Sequence, residues 1–292
     1  MDCVSSSQWW QHWQDKIETG TGVRHTMIDI HHHLLPGLDD GARDLETSLE
    51  MAKIAVNDGI THVACTPHAN SEYVFRPEEN AALLAELQRK IGDRLTLGLG
   101  CDFHLSFDNI EDALTHPTKY TVNGKNYLLV EFPDFGIPQN ISSSFYEMAV
   151  AGMVPILTHP ERNLTLMQKP EKLAQWLRMG CLVQVTAGSL TGGFGRGPQR
   201  IARELLDWGW VHVIATDAHN TTSRPPVLST AFEFLSQHYG EETAERLCVQ
   251  NPEAVFEGKG LPEQPEPARA FEEAEEFAAP KKRGLFSIFR RS

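Results

Sequence analysis

The fifteen residues from Met27 to Gly41, MIDIHHHLLPGLDDG, constrain this chain more than any other stretch. The apolar run Met27-Ile28-Asp29-Ile30 has the length of a buried strand. It runs into His31 and His33, then a turn-like Pro36-Gly37 and the pair Asp39-Asp40. Residues i and i+2 of a strand share a face, so His31 and His33 can reach one metal ion together. Imidazole suits borderline divalent metals and carboxylates add hard oxygen ligands. By itself the pair also fits a polar strand end with satisfied histidines. The rest of the chain decides between these readings.

From Met27 onward strand and helix patterns alternate. Leu45, Leu49, Ala52 and Val56 fall at helical spacing, with Asp44 and Glu46 at the start and Asp58-Gly59 at the stop. Further strands are expected over Ile60–Thr66, Leu95–Gly100, Tyr127–Glu131, Val154–Thr158, Leu182–Val185 and Val211–Thr216. Helices are expected over Glu78–Ile91, Ser143–Gly152, Glu171–Gly180, Gln199–Gly209, Val227–Tyr239 and near Glu241–Val249, with residues 103–126 as a longer connection. Apolar, β-branched strands in seven β-α units imply a parallel sheet covered by helices.

An open doubly wound sheet fits the alternation as well; the polar residues favour a barrel. His31, His33, His68, Asp102, Glu131, His159, Asp217 and His219 all stand at or just past a strand's C-terminal end. Barrel strand ends converge on one face, where active sites are built, whereas an open sheet spreads them in a row. Asp40 joins the set from the first loop. The remaining histidines, His12, His25, His62, His104, His116, His212 and His238, read as surface or strand-packing residues, and His32 should face away from His31 and His33. Arg162 follows His159 by three residues, and Arg224 sits in the Pro-stiffened loop after His219. Arginine's planar fork matches phosphate oxygens, so beside a metal cluster both become phosphate clamps.

The 292 residues suffice for one large core, and 41% hydrophobic with 22% charged residues is usual for a globular protein. A net charge of −13 argues against nucleic-acid binding, which needs a basic surface. Cys3, Cys65, Cys101, Cys181 and Cys248 show no paired spacing and read as reduced, which points to a cytoplasmic protein. No stretch approaches the ~20 apolar residues of a transmembrane helix. The sequence holds no Cys-x5-Arg loop, GxxxxGK[ST] phosphate loop or GxSxG elbow. Gly192-Gly193-Phe194-Gly195 reads as a flexible rim loop rather than a nucleotide cradle.

With the motifs IDIHHHLLPGLDDGARDLETSLEMAKIAVNDGITHVACTPH, LLVEFP, PILTHPERN, CLVQVTAGSL and VIATDAHNTTSRPP, the chain from about Met27 to about Gly258 resembles a known family. These are the bacterial metal-dependent protein-tyrosine phosphatases of the polymerase-and-histidinol-phosphatase (PHP) superfamily, found with capsule and exopolysaccharide synthesis loci. The resemblance implies an α/β fold, a distorted (β/α)7 barrel, with a three-metal site, often manganese. It implies metal ligation by His31, His33, Asp40, His68, Glu131, His159, Asp217 and His219, to which Asp102 is added as a ninth ligand, and phosphate contact by Arg162 and Arg224, with His68 also at the reaction centre. Many members have GAE after strand three where this chain has Gly100-Cys101-Asp102, so Asp102 takes the place of a longer glutamate. The expected chemistry is metal-assisted hydrolysis of phosphotyrosine, with hydroxide attacking phosphorus in line. The implied partner is a membrane-bound bacterial tyrosine kinase.

Three units are expected: residues 1–25 as an extension upstream of a natural start at Met27, or alternatively a short helix around Trp9 to Ile17; 26–258 as the barrel; and 259–292 as linker and tail. The tail joins a linker over Pro262–Pro267, an acidic run over Glu272–Glu276, and alternating basic and apolar residues over 281–291. That last pattern reads either as a disordered tail or as a weak partner-docking or membrane-surface peptide, the latter at the inner face of the plasma membrane. Two other functions stay open from the sequence: a phosphoesterase of the same barrel acting on a small phosphorylated metabolite, and a catalytically idle metal-binding regulator of the kinase. Oligomeric state is not legible.

Overall fold

The structure, a computed structural model, describes residues 26–269 apart from Asp134, Phe135 and Gln139. The expected helix around Trp9 to Ile17, the acidic run and the basic tail lie outside the described residues.

Among the described residues, nine strands in chain order make seven staves. β1 (Met27–His32) pairs with β2 (Ile60–Cys65), and β2 with β4 (Thr96–Leu99). β3 (His68–Ala69) continues the stave of β2, and β5 (Asp102–His104) continues that of β4. β5 then pairs with β6 (Tyr127–Glu131), followed by β7 (Val154–Thr158), β8 (Leu182–Thr186) and β9 (Val213–Ala215). Every pairing is parallel. The ring closes between the last stave and the first: His33 N–H donates to the Ala218 carbonyl and Asp217 N–H to that of His31, both at 2.9 Å. The protein is thus a distorted seven-stave α/β barrel.

The expected second and third strands are each broken in two. Pro67, which has no N–H, interrupts the second stave. Gly100 and Cys101 interrupt the third, while Asp102 N–H still reaches the Pro67 carbonyl at 3.1 Å. The expected connection over 103–126 holds β5 and a helix at Phe107–Thr115. The strand expected over Val211–Thr216 is shorter, and a helix at Asn251–Glu257 extends beyond the last one expected.

The barrel interior is filled by Ile28, Ile30, Ala64, Leu129, Ile156, Val213 and Ala215, with Val255 and Tyr127 against its lower end. Outward strand residues such as Val63, Cys65, Val183 and Ile214 pack under the helices with Met51, Leu87, Phe145, Trp176 and Leu205. The helices follow their local signals. Asp44 caps Leu45–Asp58 by accepting from Thr47 N–H at 2.8 Å, and Gly59 ends it in the left-handed region. Pro77 opens Pro77–Ile91, where a missing N–H costs nothing.

The base of the barrel, below the strand starts, is covered by the chain's last described residues. The Tyr127 hydroxyl donates to the Lys259 carbonyl at 2.7 Å, and Gln264 exchanges two hydrogen bonds with Asn251. The Arg269 guanidinium stacks 4.2 Å from the Trp208 ring, and Trp210 Nε1 donates to the Arg269 carbonyl at 3.0 Å. Residues 259–269, expected as linker, therefore lie irregular but hydrogen-bonded against the barrel.

Candidate metal centre

A bulge in β1 builds the first part of the site. Between Asp29 and His32 the strand gains one residue over its partner, where Val63 to Cys65 spans two steps. Side chains alternate along a strand, so an extra residue switches the phase. Ile28 and Ile30 point into the barrel before the bulge, and His31 and His33 do so after it. His32 then faces outward opposite Cys65, as expected, and is fully buried under the helices. Gly41 lets the following loop fold back over His33: a Cβ there would come within 2.4 Å of the His33 Cβ and carbonyl oxygen.

The other staves supply their residues at their C-terminal ends. His159 and Asp217 sit just past β7 and β9 with φ of 34° and 53°, a sparsely populated region that turns each side chain inward at a strained position. Asn220 shapes the loop after β9, its Oδ1 accepting the N–H groups of Thr222, Ser223 and Arg224 at 2.8 to 3.0 Å.

All nine expected ligands are brought together. Four overlapping groups each have their donor atoms within 4.8 Å of one another: His33, Asp40, His68 and His219; His31, His33 and Asp102; His31, His159 and Asp217; and His68, Asp102 and Glu131. Asp102 belongs to two of them. His31 Nε2 lies 3.4 Å from Asp102 Oδ2 and from Asp217 Oδ1, and His68 Nδ1 lies 3.1 Å from Asp102 Oδ2. His68 Nε2 and His219 Nε2 each approach Asp40 Oδ1 at 3.4 Å, and His159 Nε2 lies 3.5 Å from Glu131 Oε1.

The imidazole tautomers follow from the outer partners. Asp39 Oδ2 sits 2.6 Å from His33 Nδ1, and Gln184 Oε1 sits 3.0 Å from His31 Nδ1. Each partner takes a ring N–H, which leaves a lone pair on Nε2. The two Nε2 atoms nonetheless face each other at 3.4 Å. Both Asp102 oxygens and His68 Nδ1 are buried without a hydrogen-bond partner. Ring nitrogens and carboxylate oxygens converging in this way fit divalent cations, whose ligands at ~2.0–2.2 Å stand about this far apart.

The electrostatics agree. Burial works against charge on His33 and His68, yet Asp39 and Asp217 lift the first to about 9, and Asp102 and Asp40 lift the second to about 11. Burial with Asp102 and Asp217 nearby pushes Glu131 up to about 8. Despite burial, His31 and His68 hold Asp102 well below the usual carboxylate range. Burial and Arg162 push His159 well down, and burial and His33 lower His219 to about 4. Protons on some members, with the guanidinium groups of Arg162 and Arg224 at Asp217, supply the countercharge to this much buried acid.

Arg162 Nη1 and Arg224 Nη2 both donate to Asp217 Oδ2, the latter at 2.5 Å. Asp217 thus faces histidines with Oδ1 and arginines with Oδ2. On the other side, Asp40, His68 and Glu131 open into a cleft of ≈ 260 Å³ with Asn70, Tyr73, His104 and Phe132 in its walls. Tyr73 stacks on His68 with 6.0 Å between ring centroids.

The structure also shows what the sequence reading left out. Asp39 belongs behind His33, and Gln184 behind His31. His104, read as surface or strand-packing, lines the cleft. His62 packs against Phe256 at 5.3 Å near the base, and His116 and His238 are exposed.

Residues 27–257 match the family described as capsular polysaccharide synthesis, CpsB/CapC. This chain belongs to that family. The tyrosine-protein phosphatase YwqE of Bacillus subtilis is 33% identical over 244 residues, covering 82% of this chain and 95% of YwqE. The tyrosine-protein phosphatase CpsB of Streptococcus pneumoniae is 27% identical over 239 residues, covering 79% and 98%. A solved structure from a study of YwqE and CpsB as metal-dependent tyrosine phosphatases superposes with a TM-score of 0.76 at 32% identity, covering 83% of this chain and all of that one. The dihydroorotase of Campylobacter jejuni shares the fold alone, with a TM-score of 0.50 at 12% identity.

Proposed function

We propose that this chain is a metal-dependent protein-tyrosine phosphatase. The observation that carries the reading is one mouth holding both a cluster of nine convergent imidazole and carboxylate side chains and two arginines at its edge. Residues 26–258 make the catalytic unit. His31, His33, Asp40, His68, Asp102, Glu131, His159, Asp217 and His219 would hold three divalent cations, with manganese the metal that the resemblance to the phosphatase family favours. When bound, such cations acidify water and offset the charge of a phosphate ester.

The chain's own groups do the rest. Arg162 and Arg224 exchange Asp217 Oδ2 for non-bridging phosphate oxygens and stabilise the charge that spreads over them in the transition state. Gln184 and Asp39 keep His31 and His33 in the ligating tautomer. The open cleft beside Tyr73 gives the tyrosyl ring a place outside the cluster. A phenolate leaving group, with a phenol pKa of ~10, departs without a strong acid, so no side chain has to protonate it.

The family's link to capsule synthesis makes a membrane-bound bacterial tyrosine kinase the substrate we favour, with the phosphatase in the cytoplasm. Residues 281–291 would provide weak contact with an anionic bilayer. Equal liposome co-sedimentation of the full chain and a chain ending at Gly260 would remove that contact from the proposal.

The deciding experiment is phosphate release from a phosphotyrosine peptide by metal-stripped protein with manganese restored, beside His159→Ala and Arg162→Ala. Manganese-dependent release that both substitutions abolish is the expected result. No release by folded, metal-loaded protein overturns the assignment.

A further inference from the structure

Between the two arginine-bearing loops lies a third, and its only large side chain touches both. β7, β8 and β9 are adjacent staves; Arg162 follows the first and Arg224 the last. The chain that leaves β8 makes a short helix, Ala187–Thr191, and then the stretch Gly192-Gly193-Phe194-Gly195. Phe194 sits with its ring 4.8 Å from the Arg162 guanidinium carbon and 5.7 Å from that of Arg224.

The loop is shaped around that ring. Gly192 and Gly195 adopt φ of 94° and 87°, which only glycine takes without strain. Gly193 N–H donates to the Gly188 carbonyl at 2.7 Å, Gly195 N–H to that of Gly192 at 3.0 Å, and Gln199 Nε2 ties the next helix to the Leu190 carbonyl at 3.1 Å. Gly188 is the seat: a Cβ there would lie 3.0 and 3.3 Å from the ring edge. The stretch expected as a flexible rim loop is thus hydrogen-bonded at both ends and presents one half-buried aromatic.

We propose that Phe194 is a positioning residue for phosphate recognition, a shared aromatic platform that holds Arg162 and Arg224 with their N–H edges turned toward the cluster. An arginine side chain is long and loses much rotamer freedom when fixed. A ring whose negative face meets two guanidinium groups removes that freedom before an anion arrives and leaves the planar forks free for oxygens. Asp217 Oδ2 marks where those forks converge. The role rests on the reading that the two arginines take a phosphate group.

The test uses full-length, manganese-loaded protein and titrates inorganic phosphate by calorimetry, with phosphotyrosine-peptide kinetics in parallel. Phe194→Leu keeps apolar bulk without the ring's electrostatics, and should weaken phosphate binding about tenfold with metal content and Tm unchanged. Phe194→Trp should bind within twofold of the parent. In an Arg162→Ala, Arg224→Ala background, Phe194→Leu should add nothing, because the platform has lost what it positions. Phosphate affinity unchanged in Phe194→Leu, or the same loss persisting without the arginines, overturns the proposal. So does a parent protein that binds no phosphate. A parent that binds phosphate through this triad yet hydrolyses no phosphotyrosine refutes the phosphatase reading and leaves Phe194's role standing.

Discussion

The two ends of this barrel are both buried and made of opposite materials. At the strand ends the interior is lined by convergent imidazoles and carboxylates, with both Asp102 oxygens and His68 Nδ1 lacking a hydrogen-bond partner. At the strand starts it is closed by Val255 and Tyr127, with Trp208 and Trp210 beside them under a returning segment. Burying polar groups without partners costs about 1–3 kcal/mol each, more for charges, and a bound cation would offset that cost at the top. The base gains from apolar burial whether or not the top is filled. The lesson is that stability and chemistry are spatially divided, so substitutions should separate them.

The largest separation should come from the metals. Chelation is expected to abolish activity and to lower Tm, and restoring manganese should release the protons that His33 and His68 hold when metal-free, seen as acidification on a pH-stat. Asp102→Ala, which touches two ligand groups, should lower turnover by about a thousandfold or more, read as kcat of the manganese-loaded protein. At the base, Trp210→Ala should cost ~3–5 kcal/mol in denaturant unfolding with kcat per folded molecule unchanged.

Smaller effects sharpen the contrast. Gln184→Ala should weaken manganese binding by about 10–100-fold through His31 and barely change metal-free stability, as read by metal titration and thermal melts. His212 gives the base its own pH signature. Burial lowers it from 6.5 to about 4, and its Nδ1 accepts the Val183 N–H at 3.2 Å. The unfolded chain takes up this proton at higher pH than the folded one, so the His212 contribution is complete above pH 6.5 and lost as pH falls toward 4. By pH 5 the loss should be about 2 kcal/mol, and His212→Asn should flatten that slope in urea unfolding.

The sequence made the top more legible than the base, for a physical reason. Ligands at strand ends are single polar residues that interrupt apolar runs, so His68, Glu131, His159 and Asp217 stood out one by one. The partners that orient them are not local: Gln184 is 153 residues from His31, and on its own it is a polar residue in an apolar strand. The bulge in β1 is equally hidden, because alternation through Ile28 and Ile30 puts His31 on the wrong face until the register with β2 is known. The breaks in the second and third staves were partly signalled by Pro67 and Gly100, but short strands such as β3 have too few residues to show a period. The base went unseen because residues 259–269 have a linker's composition and gain order from residues distant in sequence, Asn251, Trp208, Trp210 and Tyr127 among them.

The seam where β9 meets β1 has one more consequence. Two backbone hydrogen bonds join the first stave to the last there, and the ligands flanking it, His31 and His33 on one side and Asp217 and His219 on the other, come from opposite ends of the domain's sequence. The two groups that share Asp102 draw only on the first four staves, whereas the other two are incomplete until residues 217 to 219 arrive. Cations held in those later groups would act as rivets across the barrel's youngest joint, each closing a loop of well over a hundred residues. A nascent chain would then own half of such a centre well before the barrel can close, and filling the other half would certify that closure is complete.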